Sequence, residues 1–134
     1  MTQIWERLFV GCLADAERLS RNNPNRIATV ISLCEQCVED RAAGVRYIHL
    51  PIEDDEPVPV RQFHAVMQAI AVSIRTGNVL VHCAGGFSRS PTLAAAYLTQ
   101  TGYKSFDAAI EEIEHKRPII DPSRILLKSV KEIL

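Results

Sequence analysis

No stretch of the chain comes near the roughly 18 consecutive apolar residues that a membrane-spanning helix requires. The opening residues MTQIWERLFVG carry no basic segment leading into an apolar run and a cleavage site. A membrane protein and a secreted precursor are therefore not expected, and the cytoplasm is the expected location. Positive charge is not in surplus either: 15 Lys and Arg face 16 Asp and Glu, for a formal charge of −1. That balance speaks against nucleic acid or a membrane surface as partner. Cysteine is scarce and irregularly spaced, at Cys12, Cys34, Cys37 and Cys83. A chain of 134 residues can build a core without staples, so these read as reduced thiols rather than a disulfide framework. Cys34 and Cys37 have zinc-ligand spacing, but no second pair follows, so a structural thiol pair is expected and no metal or other cofactor. Repeats, low-complexity tracts and linkers are absent, and one domain spanning residues 1–134 is expected, acting as a monomer.

What is present is an alternation of short aliphatic runs with helical periodicity. LFVG at 8–11, IATVISL at 27–33, VRYIHL at 45–50 and NVLVH at 78–82 are rich in β-branched and aliphatic residues, as strands buried on both faces should be. Helical segments are expected between them. The clearest covers about 60–75, where Val60, Phe63, Met67, Ile70 and Ile74 recur at three- and four-residue steps. A helix is expected from Ser90 to about Thr101, with Pro91 at its first position and Gly102 past its end. Phe106, Ile110 and Ile113 stripe another, and Asp121 followed by Pro122 signals the start of a last one through Leu126, Val130 and Ile133. The pattern predicts an α/β fold: a small, largely parallel central sheet of about four to five strands flanked by helices.

HCAGGFSRS, residues 82–90, stands directly after the fourth strand run. A lone cysteine there is most often a small buried hydrophobe, and Gly-Gly alone marks any tight turn. The set as a whole has a more specific physical reading. Where a strand gives way to a helix, backbone N–H groups converge and the helix dipole adds partial positive charge, which makes a site for an oxyanion. Gly85 and Gly86 let the chain curl without filling the cradle. The backbone of Ala84, Gly85, Gly86, Phe87 and Ser88 and the guanidinium of Arg89 are therefore expected to hold a phosphate. The same field favours the thiolate of Cys83, a nucleophile facing the phosphorus of a bound ester. Cys12 is a candidate partner for a protective disulfide with Cys83.

These residues resemble the signature of the cysteine-dependent protein tyrosine phosphatases, which is His-Cys, five residues, Arg, then Ser or Thr. HCAGGFSRSPT is similar to the dual-specificity branch, with Gly85 where alanine is usual. The resemblance extends over LFVGCLADA, VISL ahead of a second helix, IHLPIED ahead of a third, and KRPIIDPS, with Ser123 and Ser129 where asparagine and glutamine are common. It implies Cys83 as nucleophile through a phosphocysteine, Arg89 on the phosphate, and Ser90 donating to the leaving thiolate. His82 would order the loop from behind. The general acid and base would be Asp54 in the loop PIEDDEPVP, with Asp55 as the adjacent alternative.

The implied substrate is a phosphoprotein or phosphopeptide bearing phosphotyrosine and also phosphoserine or phosphothreonine. A phosphoinositide phosphatase tends to carry lysines in this loop, and Ala84 to Ser88 has none. An RNA 5′-phosphatase is kept as an alternative by the Gly-Phe pair at 86–87, against the lack of a basic track. A sulfur-transfer enzyme would lack the spaced arginine and serine, and low-molecular-weight tyrosine phosphatases place this spacing at the N-terminus. A non-catalytic phosphate-reading module would have lost the nucleophile, the arginine or the acid; this chain keeps all three.

Overall fold

The computed structural model describes residues 1–134 throughout. Five strands form one sheet in the order β1-β2-β5-β3-β4: β1 (Thr2–Trp5), β2 (Leu8–Cys12), β3 (Ile27–Ser32), β4 (Arg46–His49) and β5 (Asn78–Cys83). β1 pairs antiparallel with β2, and every other pairing is parallel. The expected strands are all present, and β1 is an addition that its sequence did not announce. Thr2 to Trp5 alternates weakly, and it becomes a strand because β2 offers a free edge.

Both faces of the sheet are covered, which is why its strands read as unbroken apolar runs. On one face Leu8, Val10, Ile31, Val79 and Val81 meet α2 (Val60–Ser73), α3 (Arg89–Gln100), α4 (Phe106–Lys116) and α5 (Arg124–Ile133) in the main core. On the other, Phe9, Val30 and Leu80 pack with Ala16 and Leu19, from α1 (Leu13–Arg18) and the turn after it, and with Val38. Val38 belongs to a segment, 34–45, that corrects the expected pattern, since β3 and β4 are joined by turns and extended chain rather than by a helix. Glu17 pins this crossover to α1 by accepting the amides of Glu39 and Asp40 at 3.0 and 2.8 Å.

The helix boundaries also shift from expectation. The third helix starts at Arg89, not Ser90, so Pro91 occupies its third position; proline is tolerated there because first-turn N–H groups have no intrahelical acceptor. The last helix begins at Arg124 behind Ser123, whose hydroxyl accepts the Leu126 amide at 3.3 Å and thereby takes the capping role assigned to Asp121. Val60 of the α2 stripe is 56% exposed at the first position of the helix, whereas Phe63 three residues on is fully buried. No helix is long and apolar enough to cross a membrane.

α3 is buried on every side from Arg89 to Leu98, as a helix lodged among sheet and other helices must be. Its small residues Ala94, Ala95 and Ala96 let its neighbours approach closely. Leu93→Ala at this fully buried position is expected to lower the unfolding free energy by about 2–5 kcal/mol in a denaturant titration. Val72→Ala, on the exposed side of α2, should stay within about 0.5 kcal/mol of the parent.

Candidate active site

Three parallel strands, β2, β5 and β3, end together at the carboxyl edge of the sheet, where ligands of open α/β sheets bind. The register sets Cys12 opposite Cys83, and Ser32 opposite His82. β5 delivers the thiol, and the chain from Ala84 to Ser88 then curls into α3.

The orientation of the peptide groups in this curl decides its chemistry. Their carbonyls are turned outward and held: Ala84 O accepts the Leu13 amide at 3.1 Å, Gly86 O the Arg117 Nε at 3.0 Å, Phe87 O the Asp121 amide at 2.7 Å, and Ser88 O the Thr92 amide at 3.1 Å. The N–H groups from Gly85 to Ser88 donate to no protein acceptor. The planes that give up the oxygens of Ala84, Gly86 and Phe87 turn the N–H groups of Gly85, Phe87 and Ser88 the other way, as an anion-binding concavity requires. Gly86 is required at the sharpest point: its φ is +73°, and a Cβ there would lie 2.8 Å from Gly11 O.

Arg89 is 6% exposed and anchored through one nitrogen only. Its Nη1 donates to Ile52 O at 3.1 Å and Leu33 O at 3.4 Å and lies 3.5 Å from the carboxylate of Glu35. Its Nε is buried without an acceptor. The guanidinium is thus held by one corner, with a second N–H donor left for something other than the protein.

Cys83 is 2% exposed, and its Sγ lies 3.3 Å from Ser90 Oγ, which also reaches Gly11 O at 3.4 Å. Behind the thiol, His82 is fully buried between Ser32 Oγ at 2.6 Å and the Cys83 carbonyl at 3.1 Å. Its Nδ1–H donates to that carbonyl, which leaves Nε2 to accept from the serine hydroxyl. Burial holds the imidazole below its ordinary value of 6.5, only partly opposed by the bond to the Cys83 carbonyl. The neighbouring Cys34 is pushed the other way, its thiol raised by burial against the opposing pull of Arg89. All four cysteines are free thiols. Although Cys12 faces Cys83 in register, its Sγ is engaged with the Asp15 carboxylate at 3.3 Å. Cys34 donates weakly to Gln36 O at 3.5 Å, and Cys37 lies 3.6 Å from His49 Nδ1.

The acidic loop is tied to the last helix. Asp55 adopts φ +59°, its carboxylate accepts the Ser123 hydroxyl at 2.8 Å, and the buried amide of Val58 donates to Ser129 Oγ at 2.8 Å. Both serines that replace the commoner asparagine and glutamine therefore make bonds to this loop. Asp54 is exposed and is held only by its Oδ1, which accepts the Asp55 amide at 3.0 Å. Ser123 serves the cradle as well, since its amide donates to Ser88 Oγ at 3.0 Å.

Three contributors were not singled out from sequence. Arg117 is 8% exposed and braces Gly86 O while Nη1 reaches Thr2 Oγ1 at 2.9 Å. Glu35, which lies between Cys34 and Cys37, carries no sequence signal for its contact with Arg89, and the Ser88 side chain none for its bond to Ser123. Arg117 sits in the KRPIIDPS stretch that carried the resemblance, but nothing local to that stretch says that its partner lies 31 residues earlier.

A buried thiol at a sheet edge, followed by unpaired amides and a one-cornered arginine, is the arrangement of a cysteine phosphatase site. Comparison with known proteins agrees. The family model for the dual specificity phosphatase catalytic domain matches residues 8–133, and the chain belongs to that family. Human dual specificity protein phosphatase 15 is 34% identical over 119 residues, covering 87% of this chain and 40% of that protein. The chain thus spans less than half the length of that relative. The crystal structure of DUSP15 superposes with a TM-score of 0.87 at 28% identity, covering 98% of this chain and 85% of that one. Human DUSP28 has the same fold at a TM-score of 0.86, with 22% identity and coverage of 99% and 94%.

The depressed His82 carries a stability consequence. The unfolded chain takes up a proton near 6.5 while the folded chain resists it, so the stability from neutral His82 is complete above 6.5 and declines as pH falls through that value toward the lower folded one. Thermal unfolding midpoints measured from about pH 7.5 to about pH 5 should fall in the parent. The slope should flatten in His82→Asn, which has nothing to titrate there; an equal slope in both would assign the effect elsewhere.

Proposed function

We propose that this chain hydrolyses phosphate monoesters of phosphoproteins through a phosphocysteine on Cys83. The observation that carries the reading is the set of unpaired donors gathered at one place: the N–H groups of Gly85 to Ser88 and the orphaned Nε of Arg89. A buried donor without an acceptor costs about 1–3 kcal/mol. A tetrahedral phosphate dianion has enough acceptor oxygens to satisfy several such donors at once, and the charge that builds up on it in the transition state is met by groups already in place.

In the first step the Cys83 sulfur attacks phosphorus, the S–P bond forms, and the ester P–O bond breaks with a proton supplied to the departing oxygen. Asp54 is the acid in this reading. Its neighbour Asp55 already receives the Ser123 hydroxyl and is held in a left-handed conformation, whereas Asp54 has one carboxylate oxygen free of protein partners. In the second step Asp54 takes a proton from water, the water oxygen attacks phosphorus, and the S–P bond breaks to release inorganic phosphate. Ser90 Oγ, 3.3 Å from the sulfur, is placed to donate to the thiolate as it departs. No step calls on a metal.

Four free thiols suit a reducing compartment, which supports a cytoplasmic location. The lack of any charged side chain from Ala84 to Ser88 favours protein substrates over polyphosphorylated inositol lipids.

Rapid-quench mass spectrometry with a phosphotyrosyl peptide should trap phosphate on Cys83, and Cys83→Ser should abolish turnover. Undiminished phosphate release in that variant would exclude covalent catalysis by this thiol. Asp54→Asn should lower kcat by roughly 10²–10⁴ on a substrate with a poor leaving group and remove the acid's limb of the pH–rate profile. Asp55→Asn, which keeps an acceptor for Ser123, should retain that limb; the reverse outcome would move the acid to Asp55.

A further inference from the structure

The glycine at 85 departs from the alanine common in related loops, and the structure shows what takes the place of the missing methyl group. A Cβ built on Gly85 would lie 2.6 Å from both Cδ2 and Cε2 of Phe87. The aromatic ring is therefore folded back onto the bare Cα of Gly85, closer than any side chain there would allow. Phe87 nonetheless keeps 47% of its surface in solvent. Its backbone is held beneath the ring by the Asp121 amide at 2.7 Å. Ile119, 56% exposed, stands midway along the segment whose ends, Arg117 and Asp121, bond the carbonyls of Gly86 and Phe87. The phosphate loop thus carries an exposed aromatic ring within itself, and the strand of chain bracing it from outside carries an exposed aliphatic one.

We propose that Phe87, seated on Gly85, is a specificity-determining residue whose exposed face packs against the aryl ring of a phosphotyrosyl side chain, favouring it over phosphoserine and phosphothreonine. The inference rests on the phosphatase reading of Cys83. With phosphorus fixed in the cradle, the atoms just beyond the ester oxygen must pass the rim of the loop. In phosphotyrosine those atoms are a planar ring, which gains from offset or edge-on packing against another ring. In phosphoserine and phosphothreonine they are one or two carbons followed at once by polar peptide groups, which gain nothing from an aromatic lip. Gly85 acts through Phe87: the Cδ2–Cε2 edge of the ring occupies the place a side chain at 85 would take.

The test uses one peptide sequence phosphorylated either on tyrosine or on threonine at the same position, with kcat/KM measured for each. In Phe87→Ala the tyrosine-to-threonine ratio should fall roughly two- to twelve-fold, the range that one aromatic pair supplies, chiefly through a higher KM for the phosphotyrosyl peptide. Gly85→Ala should lower the ratio in the same direction. Gly85 has no positive φ, so its backbone accommodates alanine and the added methyl displaces the ring instead. Phe87→Tyr, which keeps the ring, should retain the ratio. An unmoved ratio in Phe87→Ala, whether both activities drop equally or neither drops, overturns the assignment, because a merely structural role moves the two together. A wild-type protein inert on both peptides would bring down the phosphatase reading and this inference with it, whereas an active one with an unmoved ratio brings down only the role of the ring.

Discussion

The site depends on which way a handful of peptide groups face. Between the end of β5 and the start of α3, four carbonyl oxygens are occupied on the outside by Leu13, Arg117, Asp121 and Thr92. A peptide unit is planar, with its oxygen and its N–H trans to one another. Fixing those oxygens outward turns the N–H groups of the same planes the other way, so the backbone adds partial positive charge beside the Arg89 guanidinium. The partners come from the beginning of α1, from the segment after α4 and from α3 itself, so the cradle is over-determined by parts of the fold that are distant in sequence. That arrangement lets backbone donors remain unpaired without the loop collapsing onto another set of bonds.

The segment from Arg117 to Ser123 has a second task that makes the two halves of the chemistry mutually dependent. On one side it holds Gly86, Phe87 and Ser88 of the cradle; on the other, the Ser123 hydroxyl holds Asp55. Ser123 also caps α5, and Ser129 one and a half turns further on receives the amide of Val58. The loop carrying the candidate acid is thus tied to the same segment that bonds the phosphate cradle. Asp55 pays for this with a left-handed backbone, a conformation that aspartate tolerates better than most residues.

How much of this could be read from the chain follows from how local each feature is. The nucleophile, the glycines, the arginine and the serine lie within eight consecutive residues, and a strand-to-helix turn gives each one a reason, so the cradle was legible. The four longer strands were legible because burial on both faces leaves an unbroken aliphatic run, and α2 because its stripe is long. β1 was not, since four residues beside an edge take their structure from the neighbour they pair with. The 34–45 crossover was not, because Glu17 and the second core replace the helix that an α/β alternation leads one to expect. Arg117, Glu35 and the two hydrogen bonds of Ser123 to other loops stayed hidden for a common reason: their partners are 31 or more residues away, and no spacing rule connects them.

The anchoring of Arg89 shows how the fold trades stability for function at this place. An arginine serving only the core would have all of its donors matched; here three acceptors crowd around Nη1 while Nε is buried with none. Two of those acceptors, Leu33 O and Ile52 O, lie just past the ends of β3 and β4, so the sheet itself dictates the angle at which the guanidinium stands. Holding one corner and leaving another donor unpaired costs the folded chain free energy, but it also means that no internal hydrogen bond must break at Nε when an oxyanion arrives. In the proposed reaction the reorganisation would be made once, during folding, rather than at every turnover. The same logic covers the unpaired amides of the cradle. The orphaned Nε of Arg89 and the unpaired amides of the cradle fall within six residues of the buried Cys83 thiol, an arrangement that the proposed phosphoryl transfer would use and core packing would not.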